Sequence, residues 1–116
     1  MRKGFHCCSR LLVAVTGARN IPVGFVVLKD DGVTIDALGV WTRARKLGVA
    51  KALVDHCVGK AREKKVEGGE EYYDVNSLIS ALLFWRKMGF EVVKVKEMNA
   101  TEVRELEFHR PVRKRL

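Results

Sequence analysis

The segment Arg45-Lys46-Leu47-Gly48-Val49-Ala50 separates two different residue patterns. Before it, a β-branched and apolar run over residues 33–40 follows the turn signal Asp30-Asp31-Gly32, which predicts a strand. After it, apolar residues recur at helical spacing, which predicts a helix over about residues 46–65. The sequence therefore predicts a strand, a short turn and a helix, with two small residues of the segment in the helix's first turn.

The first turn of this predicted helix has the chemistry of an anion-binding site. Backbone N–H groups there have no intrahelical partner, and they carry the positive end of the helix dipole. Because Gly48 and Ala50 are small, a phosphate group can approach these N–H groups closely. Positive side chains surround the same place: Arg43, Arg45, Lys46 and Lys51. The segment therefore indicates a site for an anionic cofactor.

Two motifs make the chain resemble the GNAT superfamily of acetyltransferases. The first is Arg-x-x-Gly-x-Ala at residues 45–50, after a strand that ends in Leu38-Gly39-Val40. The second is ALLFWRKMGF at residues 81–90, where a helix leads through an aromatic residue to Gly89-Phe90. The two motifs in this order and at this spacing are more specific than either alone. The resemblance covers roughly residues 11 to 110, and it implies acetyl transfer from acetyl-CoA to a primary amine.

The resemblance implies that two parts of the chain bind acetyl-CoA. The backbone of Leu38, Gly39 and Val40 would pair with the pantetheine arm, and the N–H groups of the helix start would hold the pyrophosphate. That helix start comprises Lys46, Leu47, Gly48, Val49, Ala50 and Lys51, with Arg45 before it. In a second interpretation, Gly48 and Ala50 only let the helix and the strand pack closely.

Asn76 and Trp85 are candidate cofactor contacts by the same resemblance. The family's usual Asn corresponds to Leu78 here, and Asn76 lies nearby, where it is otherwise a helix cap. Trp85 stands where many family members carry a Tyr that protonates the departing thiolate. Because an indole does not titrate, Tyr73 or its neighbour Tyr72 is the candidate substitute, and Tyr73 is otherwise a packing residue.

Asp36 is the candidate general base, because in the family an acidic residue on this strand often takes the amine proton. The alternation of a strand places Asp36 and Thr34 on one face and Ile35 and Ala37 on the other. In the second interpretation, Asp36 is a solvated strand residue.

The predicted acceptor is a primary amine, with a protein α-amine as the first candidate. Residues 45–55 look like the corresponding stretch of protein N-terminal acetyltransferases. A lysine amine with a pKa of about 10.4 needs about 4.6 kcal/mol to lose its proton at pH 7, whereas an α-amine with a pKa near 8 needs only about 1.4 kcal/mol. A site with a weak base therefore favours an α-amine.

The elements predicted along the chain are three strands, a helix, a strand, a helix and two strands. The strands are predicted at residues 11–15, 23–28, 33–40, 71–75, 90–95 and 103–109. The second helix begins at a cap, Asn76 or Ser77, and ends before Gly89. This order resembles the GNAT fold without its beginning. It implies an α/β (α+β) fold with a mixed, mostly antiparallel sheet and helices on both faces, in a single acetyltransferase-like domain over residues 1–116.

The predicted strand at residues 11–15 has no neighbour before it, because only about ten residues precede it. An apolar strand at a bare sheet edge tends to pair with another strand, and two-fold self-association is the commonest way. We therefore expect a homodimer with Phe5, Leu11 and Val13 at or near its interface, where the partner helps to wall the acceptor site.

The chain is strongly basic, with 22 Lys and Arg against 14 Asp and Glu and a net charge of +8. This charge suits a polyanionic partner, either nucleic acid or a cofactor with several phosphates. The alternative function is therefore a non-catalytic CoA-binding module or a basic nucleic-acid-binding module. Much of the excess lies in residues 110–115, which are predicted to be a solvated tail.

Cysteine usage and hydropathy favour a cytoplasmic protein. Cys7 and Cys8 are adjacent and Cys57 falls on the apolar stripe of the long helix, so reduced thiols are expected rather than a disulfide. No apolar run approaches the length of a membrane span, and the basic start lacks the apolar stretch of a signal peptide. The alternative is metal binding by His6, Cys7 and Cys8, although no second pair stands at ligand spacing.

Overall fold

The structure is a computed structural model of the chain, and it describes residues 3–8, 10–17, 19–65 and 72–116. These residues form two compact units, one that ends at Lys64 and one that begins at Lys65. Each unit has its own antiparallel sheet and its own helices. The fold is therefore α+β with antiparallel sheets, which confirms the predicted fold class. The single domain over residues 1–116 stays a prediction.

Four antiparallel strands form the sheet of the first unit: β1 (Lys3–Cys8), β2 (Leu11–Thr16), β3 (Ile21–Leu28) and β4 (Ile35–Val40). They pair in chain order, as short connections allow. Gly17 and Asn20 have positive φ in the turn after β2. Asp31 holds the turn after β3, because its carboxylate accepts the N–H groups of Val33 and Thr34 at 2.9 and 2.8 Å. The turn after β3 lies where the signal Asp30-Asp31-Gly32 predicts it.

Strand β1 shows that the first strand predicted from the sequence is in fact the second. β1 pairs with β2 along its whole length, from Lys3 opposite Thr16 to Cys8 opposite Leu11. β2 is therefore paired on both sides, with β1 and with β3. The homodimer prediction rests on a bare edge at this strand, and the structure removes that argument.

A 3-10 helix at Thr42–Leu47 and the α-helix α1, Val49–Lys64, follow the sheet. Helix α1 packs on β3 and β4 with the apolar stripe that the sequence predicts. The buried residues of this stripe are Val49, Leu53, Val54, Cys57, Val58 and Ala61. The predicted helix start at residue 46 is wrong, because Gly48 ends the 3-10 helix and α1 begins only after it.

The second unit has a three-stranded sheet and two short α-helices. Its strands are β5 (Tyr72–Leu78), β6 (Glu91–Val92) and β7 (His109–Arg115), in the order β5-β7-β6. Its helices are α2 (Leu82–Lys87) and α3 (Ala100–Arg104), with 3-10 turns at Ile79–Ala81 and Val95–Glu97. The core of this unit consists of Tyr73, Val75, Trp85, Phe90, Val93 and Val112.

Strand β7 is the middle strand of this sheet, although the sequence predicts a solvated tail over residues 110–115. Val112 is 0% exposed, so the segment contributes to the core. Its basic side chains have partners in the fold. The Arg113 guanidinium lies 4.4 Å from the ring centroid of Tyr72, and Lys114 Nζ donates to the carbonyl oxygen of Met88 at 2.9 Å. Both basic side chains therefore contact residues of the same unit.

The end of the chain departs from the prediction at two further places. Residues 103–109, predicted as the last strand, contain the end of α3 and a turn. Helix α3 begins at a capping box, in which Asn99 Oδ1 accepts the N–H of Glu102 at 2.8 Å and Glu102 Oε2 accepts the N–H of Asn99 at 3.2 Å. The strand predicted at residues 90–95 is reduced to β6, because a 3-10 turn follows it.

Candidate functional site

Gly48 separates the 3-10 helix from α1, and its backbone lies in the left-handed region at a φ of 72°. A side chain is strained in this conformation, because its Cβ comes too close to the following carbonyl oxygen. The Gly48 carbonyl accepts the N–H of Ala52 at 3.0 Å, so the chain enters α1 directly after the turn. The sequence suggests that a small residue here admits a phosphate, and the backbone conformation is a second reason for glycine.

The N–H groups of Val49, Ala50 and Lys51 lie at the open end of α1. The first hydrogen bond of the helix runs from the Ala52 N–H to the Gly48 carbonyl. The three N–H groups before Ala52 therefore have no acceptor within the helix. The first turn of α1 carries no acidic side chain, so the positive end of the helix dipole is not neutralised there. This anion site is narrower than the predicted one, because residues 46 and 47 belong to the 3-10 helix.

Cationic residues lie within six positions of Val49, the first residue of α1. Arg43, Arg45 and Lys51 are exposed, and the Arg43 guanidinium lies 5.7 Å from the ring centroid of Trp41. Lys51 Nζ forms an ion pair with Asp55 at 2.7 Å, and both side chains are exposed. An exposed pair of this kind contributes little free energy, so the Lys51 ammonium can also serve an anion. The side chains of Lys46 and Leu47 lie outside the described part of the chain.

Strand β4 precedes this helix start in the chain, with the 3-10 helix between them. Leu38, Gly39 and Val40 pair with β3 on one side, and no strand follows β4 in this sheet within the described residues. The outer edge of such a strand presents N–H and C=O groups that can pair with an extended ligand. The ring of Phe25 lies against Gly39 and leaves no room for a side chain there. The outer edge of β4 and the start of α1 therefore both offer backbone groups, and the 3-10 helix at Thr42–Leu47 connects them.

Asp36 lies at a β-bulge between β3 and β4. Val27 is opposite Ala37 and Leu28 is opposite Ile35, so Asp36 has no residue opposite it. A bulge changes the direction of the side chains that follow it. Ile35 is buried, whereas Asp36 and Ala37 are both exposed. The predicted alternation, with Ile35 and Ala37 on the same face, is therefore wrong, and Asp36 stands at the irregular point of the strand.

Tyr73 and Trp85 lie in the aromatic core of the second unit. The Phe90 ring packs edge-to-face against both, with centroid distances of 6.2 Å to Tyr73 and 5.0 Å to Trp85. Phe84 packs edge-to-face on Trp85 at 5.0 Å. Tyr73 is 3% exposed and Trp85 is 4% exposed. These are the contacts of core residues, which favours the packing interpretation of Tyr73.

Asn76 is exposed on β5 and has a partner within the second unit. Its side-chain amide donates to Glu105 Oε2 at 2.5 Å. The helix cap predicted at Asn76 or Ser77 is wrong, because both residues belong to β5 and the next helix has no side-chain cap. Leu78, at the family's usual Asn position, is 53% exposed.

The described residues contain neither a cluster of metal ligands nor a membrane-spanning helix. The side chains of His6, Cys7 and Cys8, the alternative metal ligands, lie outside the described residues. Where side chains are described, no group of three or more His, Cys, Asp or Glu residues is arranged to hold a metal ion. No helix of the described segments is long and apolar enough to span a membrane.

Sequence reasoning missed an apolar groove on the sheet of the first unit. Its volume is about 560 Å³, and its lining includes Leu11, Val13, Phe25, Gly39, Val40 and Trp41. Phe25 and Trp41 are 43% and 54% exposed. Aromatic residues that alternate with buried strand positions were the available signal. The groove shares Gly39 and Val40 with the strand that the sequence assigns to the pantetheine arm.

The family model described as "Acetyltransferase (GNAT) domain" matches residues 2–108 of the chain. This match spans both units and includes every residue that the sequence singles out for the site. No curated protein matches the chain significantly.

Three solved structures are similar to the chain in fold. An acetyltransferase of the GNAT family from Staphylococcus aureus Mu50 has a TM-score of 0.65 at 18% identity, covering 91% of this chain and 66% of its own. Nourseothricin acetyltransferase has a TM-score of 0.60 at 23% identity, and the match covers 90% of this chain and 64% of the other. The third is a putative streptothricin acetyltransferase from Bacillus anthracis str. Ames, in complex with acetyl coenzyme A. It has a TM-score of 0.61 at 19% identity, and the match covers 91% of this chain and 61% of the other. The chain thus spans slightly less than two thirds of the length of these proteins.

Proposed function

The chain belongs to the GNAT acetyltransferase family, and from this premise we propose that it transfers an acetyl group from acetyl-CoA to a primary amine. The observation that carries the proposal is the start of α1. Gly48 turns the chain through a left-handed conformation. The N-terminal end of α1 that follows has three N–H groups without an acceptor in the helix, and it carries no acidic side chain. The similar Bacillus anthracis protein is in complex with acetyl coenzyme A, which supports the same cofactor here.

The proposed path of acetyl-CoA lies in the first unit. The N–H groups of Val49, Ala50 and Lys51 bind the pyrophosphate, and Arg43 and Arg45 add positive charge. The pantetheine amides pair with the outer edge of β4, along residues 38–40. Because a strand rises about 3.3 Å per residue, the four residues from 40 back to 36 span about 13 Å. An extended pantetheine arm on this edge therefore points towards the bulge at Asp36.

Asp36 is the proposed general base. The amine nitrogen attacks the thioester carbonyl carbon, its proton passes to the Asp36 carboxylate directly or through water, and the C–S bond breaks to release a thiolate. The conjugate thiol of this leaving group has a pKa of about 8.5, so the thiolate leaves readily near neutral pH and a general acid contributes little. Tyr73 as that acid, and Asn76 and Trp85 as cofactor contacts, stay predictions from the resemblance. The burial of Tyr73 and Trp85 argues for packing.

A protein α-amine is the first proposed acceptor. An α-amine needs less help from a base than a lysine amine, by about 3 kcal/mol at neutral pH, and Asp36 is an exposed carboxylate. The groove that contains Phe25 and Trp41 offers an apolar surface for the first side chains of a peptide. A small-molecule amine is the second candidate, because two of the similar proteins are named as acetyltransferases of nourseothricin and streptothricin.

A non-catalytic CoA-binding or nucleic-acid-binding module remains the second candidate function, favoured by the net charge of +8. DNA binding that survives saturating CoA, without thiol release on any amine, supports this module and opposes the enzyme.

The test of the proposed function is thiol release from acetyl-CoA with a panel of amines. The panel contains a peptide with a free N-terminus, the same peptide blocked at its N-terminus with one internal lysine, and streptothricin. We expect release with the free peptide and loss of release with the blocked peptide. Release only with streptothricin changes the acceptor, and no release with any amine contradicts the enzyme.

A further inference from the structure

A second cavity of the first unit lies away from the proposed acetyl-CoA path. Its volume is about 390 Å³, which is within the range of small-ligand pockets. Helix α1 contributes His56, Cys57, Lys60 and Lys64 to its lining. Lys60 is ten residues beyond Ala50, which corresponds to about 15 Å along the helix axis. The lining shares no residue with the proposed acetyl-CoA path.

The interior of this cavity is apolar. Leu12 and Leu28 are 2% and 4% exposed and form its lining together with Val33. The Phe5 ring lies against the His56 imidazole, with ring centroids 4.9 Å apart. A hydrocarbon group therefore finds apolar contacts here, and the exposed lining residues mark the mouth of the cavity: Phe5, Lys60 and Lys64.

Two lysines one helical turn apart bring positive charge to the mouth. Lys64 Nζ donates to the carbonyl oxygen of Asp31 at 3.4 Å and would lie 3.9 Å from a Cβ on Gly32, which also lines the cavity. Lys60 Nζ lies 3.5 Å from Glu63 Oε2 in an exposed ion pair. Both interactions are long, and exposed ion pairs contribute little free energy. Both ammonium groups can therefore turn towards an anion in the cavity.

We propose that this cavity binds a small monocarboxylate with an apolar body, of the medium-chain fatty acid class. The carboxylate lies between Lys60 and Lys64, which repel each other at this spacing unless an anion is present. Its hydrocarbon chain contacts Leu12 and Leu28, and an N–H of His56 can add a hydrogen bond. Charge-assisted hydrogen bonds are stronger than neutral ones, so the site binds the carboxylate more tightly than a neutral analogue.

The test is calorimetric titration of the full chain with octanoate, with and without saturating acetyl-CoA, and with octanol as the neutral analogue. We expect one saturable octanoate site that acetyl-CoA does not displace. Octanol binds at least about tenfold more weakly, because it cannot form the charge-assisted contacts. The double variant Lys60→Met with Lys64→Met keeps apolar side chains and loses octanoate affinity by at least about tenfold.

Two matched variants separate this site from general charge effects. Arg62→Met removes a charge from the same helix without touching the lining, and octanoate affinity changes by less than about twofold. Glu63→Gln removes the competitor of Lys60, and affinity stays equal or rises. Melting curves establish whether each variant is folded. If the double variant is unfolded, the comparison of octanoate with octanol on the parent protein tests the proposal instead. The proposal is overturned if octanoate shows no saturable binding, or if octanol binds as tightly as octanoate. It is also overturned if the folded double variant binds octanoate like the parent, or if acetyl-CoA displaces octanoate.

Discussion

Val49 lies directly against Gly24 in the first unit, at the point where α1 begins. A Cβ on Gly24 would lie 2.9 Å from Cγ1 of Val49, closer than real Cβ contacts, and at a tight 3.1 Å from the carbonyl oxygen of Gly39. Gly24 therefore lets the start of α1 approach β3 and β4 closely. The same turn of α1 carries the N–H groups of the proposed phosphate site, so the contact that packs α1 on the sheet also positions these N–H groups.

Gly24→Ala is expected to lower the free energy of unfolding by about 1–3 kcal/mol, because it overpacks a buried contact, and to weaken acetyl-CoA binding. Urea unfolding and calorimetry measure the two effects. Gly59→Ala is the control, because Gly59 lies within α1 and an added Cβ meets nothing within 4 Å. This control is expected to stabilise the protein by about 0.5–1 kcal/mol. A Gly24→Ala variant as stable as the parent would show that the contact is not tight.

Phe90→Ala is expected to destabilise the second unit by about 3–5 kcal/mol, since Phe90 is buried and closes helix α2. Its N–H donates to the Trp85 carbonyl at 3.0 Å, and the Gly89 N–H donates to the Arg86 carbonyl at 3.0 Å. With Gly89 at a φ of 89°, this is a Schellman motif, so Gly-Phe in the second family motif has a structural role.

Leu83→Ala on the same helix is the control for Phe90→Ala. Leu83 is 66% exposed, so we expect a change within about 0.5 kcal/mol by thermal unfolding, and equal effects of both variants would refute this role.

Asp31 is expected to make stability depend on pH in the acid range. Burial alone would raise the pKa of Asp31, but hydrogen bonds from the Thr34 hydroxyl and from the N–H groups of Thr34 and Val33 outweigh burial, and the pKa is lowered. The unfolded chain therefore takes up this proton at a higher pH than the folded chain. The stabilisation is complete above the unfolded pKa of about 3.9 and is lost as the pH falls through the lower folded pKa.

Urea unfolding at a series of acidic pH values checks this dependence. Asp31→Asn should flatten the acid limb of the free energy of unfolding, and Thr34→Ala should flatten it in part, because it removes only the hydroxyl donor. An acid limb that is the same in Asp31→Asn and in the parent would mean that another group titrates there.

Asp36→Asn is expected to lower turnover by about tenfold or more and to leave acetyl-CoA affinity nearly unchanged, because only proton removal from the amine is affected. Asp30→Asn in the turn after β3 is the control and should retain the parent's turnover. If Asp36→Asn retains full turnover across the pH range, Asp36 has no part in the reaction.

The change from strand to helix near Gly48 was predictable from the sequence because its signals are local, although α1 begins at Val49 and not at residue 46. Glycine, basic residues and the change from a strand pattern to a helix pattern all lie within a few residues of Gly48. The capping box at Asn99 and Glu102 is equally local, and the same rules would have placed α3 correctly. What they could not show is the bulge at Asp36, because it depends on the register with β3, a separate strand.

The two strands at the ends of the chain were missed for different reasons. In β1, the run of Gly4, His6, Cys7 and Cys8 has no alternation of apolar and polar residues. In β7, Pro111 and its basic neighbours contradict the usual composition of a central strand. Both strands are identified only by their pairing with distant partners.

The proposed pyrophosphate site can be tested by a change of charge without a change of size, at Ala50 in the first turn of α1. Glu and Gln at this position have nearly the same shape, and Glu stabilises a helix start by about 0.3–1 kcal/mol, so folding does not suffer. Calorimetric titration with acetyl-CoA compares Ala50→Glu with Ala50→Gln. We expect the Glu variant to bind at least about tenfold more weakly than the Gln variant, because its carboxylate repels the pyrophosphate. Equal affinity of the two variants would contradict a pyrophosphate site at the start of α1.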